Sequence, residues 1–161
     1  MHQDFYIVKD LYAKHGLRVT ELCEDPESAE YAACSYKLNG LAVKFRFSKI
    51  TPKKTGQFVT IWKRNDEGIT QPFDETDELD FVIVCSRQET NFGQFIFPKA
   101  VLVQKGIITG NGKPGKRGIR VYPPWDTTNN KQAIKTQQWQ MKYFFDLQHG
   151  TSRELMWLFS T

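Results

Sequence analysis

The chain has 161 residues and a formal net charge of +4 at pH 7, with 40% hydrophobic, 25% charged and 14% aromatic residues. This length suits one domain spanning residues 1–161, and the composition excludes disordered, collagen-like and coiled-coil proteins. No apolar run approaches the roughly 20 residues that cross a bilayer, and the N-terminal segment lacks the features of a signal peptide, so we expect a cytoplasmic protein without membrane contact.

The first third of the chain is predicted to form a helix followed by a hairpin. Apolar periodicity indicates a helix over Asp4–His15, and the acidic run after Pro26 suits a second, short helical turn. Asn39-Gly40 separates two apolar stretches, which is typical of a two-residue hairpin turn. The second strand of this hairpin alternates, with Leu41, Val43, Phe45 and Phe47 on one side and Ala42, Lys44, Arg46 and Ser48 on the other. The alternation predicts an apolar face and an opposite, cationic face.

The remainder of the chain adds strands and one long helix. A polar loop, residues 48–56, precedes a strand at Gln57–Lys63, and the run LDFVIVCS reads as a strand buried on both faces. Further strands are expected at Gly93–Phe97, Val101–Val103 and Gly118–Tyr122, followed by a helix at Thr128–Leu147. The fold class is α/β or α+β, with a central mixed sheet of about five or six strands flanked by helices.

Basic and acidic residues are segregated along the sequence. Residues 31–65 carry eight basic and no acidic side chains, whereas residues 66–90 carry eight acidic side chains and one basic. This pattern predicts a positive face that would concentrate polyanions, unless the charges mix again in the fold. Aromatic residues interleave with the cations in KFRF, FVTIWKR and RVYPPW. Cations that pair with phosphates and aromatic rings that stack on unpaired bases suit single strands or RNA.

Two kinds of cofactor site are incomplete. GNGKPGK at 110–116 has the spacing of a P-loop, but Arg117 stands where Ser or Thr would hold magnesium, and a strand-like segment follows instead of a helix. We therefore predict a loop whose cations contact phosphates. The three histidines and three cysteines share no metal-ligand spacing, so we expect buried thiols and neither a metal nor another cofactor.

Five strings in the sequence resemble the MepB family. They are KITPKKTGQFVTIWKR (49–64), PFDETDELDF (72–81), GQFIFPKAVL (93–102), GKRGIRVYPPW (115–125) and KTQQWQMKYF (135–144). The resemblance runs in order from Glu27 to Phe144 and implies a fold related to the PD-(D/E)xK endonuclease core. It also implies a link to multidrug efflux, because the family is named for a gene beside an efflux pump.

The related nucleases hold magnesium with an Asp near a strand end and with an acid and a lysine two residues apart on the next strand. Compared with that pattern, Asp80 is in place, but Gln94 stands where the acid would be and Ile96 where the lysine would be. Lys99 lies further along, behind Pro98. Carboxylates from elsewhere remain candidates, namely Glu30, Asp77 and Glu89. The resemblance thus implies a degenerate catalytic motif.

These observations favour a protein that binds nucleic acid in a basic groove without cleaving it, with a preference for single strands or RNA. The phosphate contacts expected on one side are Lys44, Arg46, Lys49, Lys53, Lys54, Lys63 and Arg64. Those expected on the other side are Lys113, Lys116, Arg117 and Arg120, with Trp125 exposed as a stacking platform.

Two alternatives stay open at the level of sequence. The first is a metal-dependent nuclease that uses Asp80 and Lys99 with Glu30 or Glu89. The second is a small-molecule sensor linked to efflux, with an aromatic pocket formed by Phe73, Phe92 and Trp125.

Overall fold

A computed structural model describes residues 1–161 as a mixed α+β fold with four helices and a six-stranded sheet. In chain order the elements are α1 (Gln3–Lys14), β1 (Val19–Glu24), β2 (Cys34–Leu38), β3 (Leu41–Phe47), β4 (Lys49–Ile50), β5 (Gln57–Thr60), β6 (Lys63–Arg64), β7 (Thr70–Gln71), β8 (Phe81–Gln88), β9 (Asn91–Pro98), α2 (Lys99–Gln104), β10 (Gly118–Val121), α3 (Lys131–Gln140), β11 (Phe144–Asp146) and α4 (Ser152–Phe159). The predicted fold class is confirmed. No helix has the length and apolar character needed to span a membrane.

Three sheets are present. The main sheet has the strand order β1-β2-β3-β8-β9-β11, and only β3 and β8 pair in parallel. A small sheet has the order β10-β5-β4, and β6 and β7 form a separate two-stranded ribbon. The predicted strand at Gln57–Lys63 is therefore divided between the small sheet and the ribbon. The main sheet is mixed, as predicted.

The hairpin of β2 and β3 forms at the predicted turn. Asn39 and Gly40 adopt φ values of 48° and 86°, the left-handed conformations that a two-residue hairpin turn requires. The helix predicted near the N-terminus is also present as α1, with Phe5, Val8 and Tyr12 on its buried face. Short-range turn chemistry and periodicity account for both elements.

Two hydrophobic clusters cover the two faces of the main sheet, and β8 contributes to both. Ile83 and Cys85 belong to the cluster beneath α1 and α4, whereas Val82 and Val84 belong to the cluster beneath α2 and the small sheet. Residues 81–85 of β8 are covered on both faces and none of them is polar, which explains the uninterrupted apolar run in the sequence.

Several predicted elements are wrong. Residues 101–103 lie in α2 instead of a strand, because Pro98 ends β9 and starts this helix. The helix predicted to reach Leu147 ends at Gln140, and after one 3₁₀ turn the chain forms β11 on the edge of β9. The edge strand β1 was not predicted because five of its six residues are exposed and give no apolar pattern. Cys23 on this strand is exposed, contrary to the expected burial of all three thiols.

Candidate nucleic-acid interface

A groove of about 770 Å³ lies between the small sheet and α3. Its lining comes from loop 51–56, from Phe58 of β5, from β10 and the loop before it, from the end of α2, and from the whole length of α3 with the two residues before it. We call it the basic groove, because five of its lining residues are cations and none is acidic: Lys53, Lys54, Lys105, Lys116 and Arg120. These cations come from three separate parts of the sequence, so the fold concentrates positive charge at one place.

Loop 51–56 is held against β10 by Arg120. The guanidinium donates hydrogen bonds to Thr51 Oγ1 at 2.8 Å and to the Thr55 carbonyl oxygen at 3.3 Å. Gly56 has a φ of +85°, and a Cβ at this position would lie 2.7 Å from the ring of Tyr122. A glycine is therefore needed for the close approach of this loop to β10. These contacts fix the position of the loop backbone that carries Lys53 and Lys54 at the groove.

The other side of β10 is held by α3 through side-chain amides. The amide of Gln140 is buried, accepts a hydrogen bond from the Tyr122 backbone N–H and donates to the Arg120 carbonyl, both at 2.9 Å. One turn earlier, Gln137 Nε2 donates to the carbonyls of Pro123 and Asp126, each at 2.9 Å. Since β10 pairs with β5 on its other edge, Gln140 satisfies backbone groups that a further strand would otherwise pair with, and Gln137 holds the segment that follows β10.

The loop before β10 is compact and is not a P-loop. Lys116 N–H donates to the Ile107 carbonyl at 2.9 Å, and Gly115 N–H donates to Thr109 Oγ1 at 2.8 Å. A Cβ on Gly115 would lie 2.4 Å from the Ile107 carbonyl oxygen, so the loop depends on this glycine. Because the strand β10 follows, there is no helix N-terminus to hold a nucleotide's phosphates, as the sequence predicted.

The structure brings together four of the predicted phosphate contacts, namely Lys53, Lys54, Lys116 and Arg120. Lys113 and Arg117 are exposed but do not line the groove, and Arg117 donates to the Thr70 carbonyl at 2.9 Å. Four other cations have partners elsewhere. Lys44 donates to Ser35 at 2.9 Å, Lys49 pairs with Glu30 at 3.5 Å, Lys63 with Asp77 at 2.6 Å and Arg64 with Glu27 at 3.6 Å.

Arg46 requires a correction, because its side chain is only 1% exposed. Its Nη1 contacts Asp25 Oδ2 at 3.2 Å and donates to the Phe45 carbonyl at 2.9 Å. Burial lowers the pKa of Arg46, and the nearby carboxylate of Asp25 opposes this shift. The small sheet covers the end of the predicted cationic face, where Ser48 donates to Gln57 Oε1 at 2.7 Å. Arg46 is thus a buried ion-pair partner that no phosphate can reach.

Trp125 also differs from the expectation of an exposed stacking platform. The residue is half-buried, and its ring packs edge-on against Phe144 with the ring centroids 5.9 Å apart. Its indole Nε1 is buried without a hydrogen-bond partner. The ring therefore belongs to the packing of β11 and does not line the basic groove.

The fold brings together only some of the nuclease candidates: Asp80 and Lys99 are adjacent, and Lys99 Nζ donates to the Asp77 carbonyl at 2.6 Å, whereas the remaining candidates lie elsewhere. Asp80 precedes β8 and its Oδ2 accepts from the Ala42 N–H at 2.8 Å, with Lys99 N–H bonded to the Asp80 carbonyl at 3.0 Å. Gln94 lies four residues before the end of β9, about 13 Å along the strand, and is fully buried against Tyr12. Glu30 faces Lys49 on another element. No cluster of three or more acidic, histidine or cysteine side chains is arranged to hold a metal ion.

The aromatic pocket considered for a small-molecule sensor is not formed. Phe73 belongs to the cluster on one face of the main sheet and Phe92 to the cluster on the other face. Trp125 packs against Phe144 instead. The three rings therefore cannot contact one ligand.

Sequence reasoning missed Lys105 and the residues of α3 that line the groove. Lys105 Nζ lies 5.4 Å from the ring centroid of Trp139, and that ring packs on Phe97 with the centroids 5.4 Å apart. The amide-rich string QQWQ was visible at 137–140, but nothing local indicated that α3 would face cations from residues 53–54.

Comparisons with known proteins agree with the resemblance noted in the sequence. A family profile described as MepB-like matches residues 25–146. The crystal structure of MepB is 32% identical in sequence, with 92% of this chain and 99% of that chain covered and a TM-score of 0.80. The structure of a bacterial homing endonuclease, I-Ssp6803I, matches with 16% identity, 84% and 85% coverage and a TM-score of 0.49. No curated protein matches significantly. The chain belongs to the MepB-like family.

Proposed function

We propose that this MepB-like protein binds nucleic acid in the basic groove, with a preference for single strands or RNA. The observation that supports the proposal is the chemistry of the groove, which has five cations and no carboxylate in about 770 Å³. A concave surface of one charge sign focuses its electrostatic field and concentrates ligands of the opposite sign. A nucleic-acid backbone is such a ligand, and its phosphates supply most of the affinity in non-specific complexes.

The absence of ion pairs at three lysines of the groove also supports this proposal. Lys53, Lys54 and Lys116 are exposed and form no ion pair. By contrast, Lys63 and Lys37 elsewhere on the surface are neutralised by carboxylates at 2.6 and 2.5 Å. A phosphate entering the groove therefore need not displace a protein carboxylate from these three lysines.

We favour binding without cleavage over the nuclease alternative. Asp80, Asp77 and Lys99 are neighbours, but the Asp77 carboxylate is paired with Lys63 at 2.6 Å. Of the other candidates, Gln94 is buried on β9, Glu30 is paired with Lys49, and Glu89 lies at the far end of β8. Magnesium-assisted hydrolysis needs carboxylates that converge on one ion, because the ion must hold both the water and the phosphate.

The test measures the affinity for a fluorescent single-stranded oligonucleotide as a function of salt. The groove variant replaces four lysines with alanine: Lys53, Lys54, Lys105 and Lys116. The matched control makes the same change in charge at four exposed cations without side-chain partners: Lys9, Lys14, Lys142 and Arg153. Each lost phosphate contact lowers the slope of log K against log salt by about 0.7 for a single strand.

We expect the groove variant to bind more weakly, with a slope reduced by up to roughly 3. The control variant should keep the native slope to within about 0.7, the change expected for one phosphate contact. An equal effect in the two variants would show that binding depends on the overall surface charge and not on the groove. No binding at low ionic strength would refute the proposal. A duplex of the same sequence is expected to bind more weakly, and tighter binding of the duplex would contradict the single-strand preference.

A further inference from the structure

The two walls of the basic groove have different chemistry. Loop 51–56, β10 and the loop before it supply four of the cations: Lys53, Lys54, Lys116 and Arg120. The wall formed by α3 and the residues just before it is neutral, because Lys131 and Lys135 do not line the groove. Three polar side chains of this wall make no hydrogen bond within the protein, and we call them the amide wall: the amides of Asn129 and Gln132 and the hydroxyl of Thr136. Gln132 and Thr136 are four residues apart on α3 and so lie on one face of the helix.

The side chains of the amide wall are free to bind a ligand. Asn129 and Gln132 are exposed, and neither side chain makes a hydrogen bond within the protein. The neighbouring amides are occupied: Asn130 Oδ1 accepts from the Ala133 N–H at 2.8 Å, and Gln137 and Gln140 hold the chain at β10. Among the side-chain amides of residues 129–140, the ones without a hydrogen bond in the protein are therefore the two that line the groove and Gln138, which does not line it.

Free amides and cations suit different parts of a nucleic acid. A lysine only donates hydrogen bonds and therefore matches a phosphate, which only accepts at neutral pH. A side-chain amide both donates and accepts, as the edges of bases do, and this match allows amides to recognise bases. A ligand that carries charge on one side and hydrogen-bonding edges on the other would match both walls. An unpaired strand has this asymmetry, whereas a base-free polyanion lacks it.

We infer that a bound strand lies with its phosphates on the cationic wall and its unpaired bases against the amide wall, so that Asn129 and Gln132 bind the edges of the bases. This inference rests on the proposed function of the groove. Trp139 has no stacking role in this arrangement, because its ring already packs against Phe97 and Lys105.

The experiment compares a single strand with an abasic strand that has the same number of phosphates. The native protein is expected to bind the base-bearing strand about tenfold more tightly, in the range for one well-placed amide pair. In the double variant Asn129→Ala and Gln132→Ala, the ratio of the two affinities should approach one, with the salt slope unchanged. The control, Gln138→Ala with Gln148→Ala, removes two exposed amides away from the groove and should keep the native ratio.

Equal binding of the two strands by the native protein would overturn the inference, and so would an unchanged ratio in the Asn129 and Gln132 variant. In both cases the salt slope of the groove variant would still support binding of phosphates. Failure of the proposed function is a different result, since neither strand would then bind to the native protein.

Discussion

Gln140 Nε2 donates a 2.9 Å hydrogen bond to the carbonyl oxygen of Arg120, so that a side chain of α3 is bonded to the strand that carries a groove cation. The same amide accepts from the Tyr122 N–H at 2.9 Å. Two backbone groups on the edge of β10 are therefore satisfied by one side chain that is 1% exposed. The relative position of the two groove walls depends on this contact, because β10 and α3 lie on opposite sides of it.

The first prediction concerns Gln140→Ala. This change leaves the Arg120 carbonyl and the Tyr122 N–H without their side-chain partner, which costs about 1 to 3 kcal/mol of unfolding free energy for buried groups. Urea denaturation measures the loss. The control Gln138→Ala removes an exposed amide of the same helix and should change stability by less than about 0.5 kcal/mol. Equal stability of the two variants would show that the hydrogen bonds of Gln140 add nothing.

The second prediction separates Arg120 from the lysines of the groove. Arg120→Ala removes a cation and also the bonds to Thr51 and Thr55 that hold loop 51–56. We expect it to weaken nucleic-acid binding more than Lys116→Ala does, because Lys53 and Lys54 lose their fixed position. Hydrogen exchange of the loop amides should accelerate in the Arg120 variant only. Identical exchange in both variants would refute the positioning role.

Features set by short stretches of sequence could be predicted. Asn39-Gly40 determines its turn through the φ values that both positions need, and these residues adopt them. The apolar run of β8 likewise indicates a strand with both faces covered. The loop at 110–116 could be separated from a P-loop because Arg117 and the strand after it are local features.

Features set by packing between distant segments could not be predicted. Alternation along β3 correctly predicted that Arg46 and Phe45 lie on opposite faces of the strand. Whether the face of Arg46 is exposed depended on a small sheet built from residues 49–60 and 118–121. Lys105 is similar, since only the fold brings the end of α2 beside residues 53–54. Sequence thus located part of the candidate groove and misjudged which cations are free.

The third prediction concerns the thiols. Burial raises the pKa of Cys34 to about 12, with the carboxylate of Asp25 adding to the effect, and burial raises the pKa of Cys85 well above its usual value. Cys23 is exposed. Because the thiolate is the reactive form, an aromatic disulfide reagent at pH 8 should label one thiol rapidly in the folded protein and three in denaturant. Cys23→Ser should abolish the rapid phase, and a second rapid thiol would contradict the burial of the other two.

The fourth prediction concerns the nuclease alternative. Because Asp80 and Gln94 lie far apart on the sheet, the purified protein should not degrade labelled single or duplex strands above background with magnesium or manganese. The Asp80→Asn variant distinguishes a true activity from a contaminating nuclease. Cleavage by the native protein that disappears in this variant would overturn the proposal of binding without hydrolysis.

The fifth prediction concerns the buried pair of Arg46 and Asp25. Asp25→Ala leaves a guanidinium that is 1% exposed without its carboxylate, and breaking such a pair costs about 3 to 5 kcal/mol of unfolding free energy. The control Asp10→Ala removes an exposed carboxylate that has no ion-pair partner and should cost less than about 0.5 kcal/mol.

A second arm tests the reason for the loss. Arg46→Leu combined with Asp25→Ala removes the unpaired charge as well, so this double variant should be more stable than Asp25→Ala alone. Its slope of nucleic-acid affinity against salt should equal the native slope, because Arg46 cannot reach a phosphate. A double variant less stable than Asp25→Ala would refute charge burial as the cause, and a lower salt slope would place Arg46 among the phosphate contacts after all.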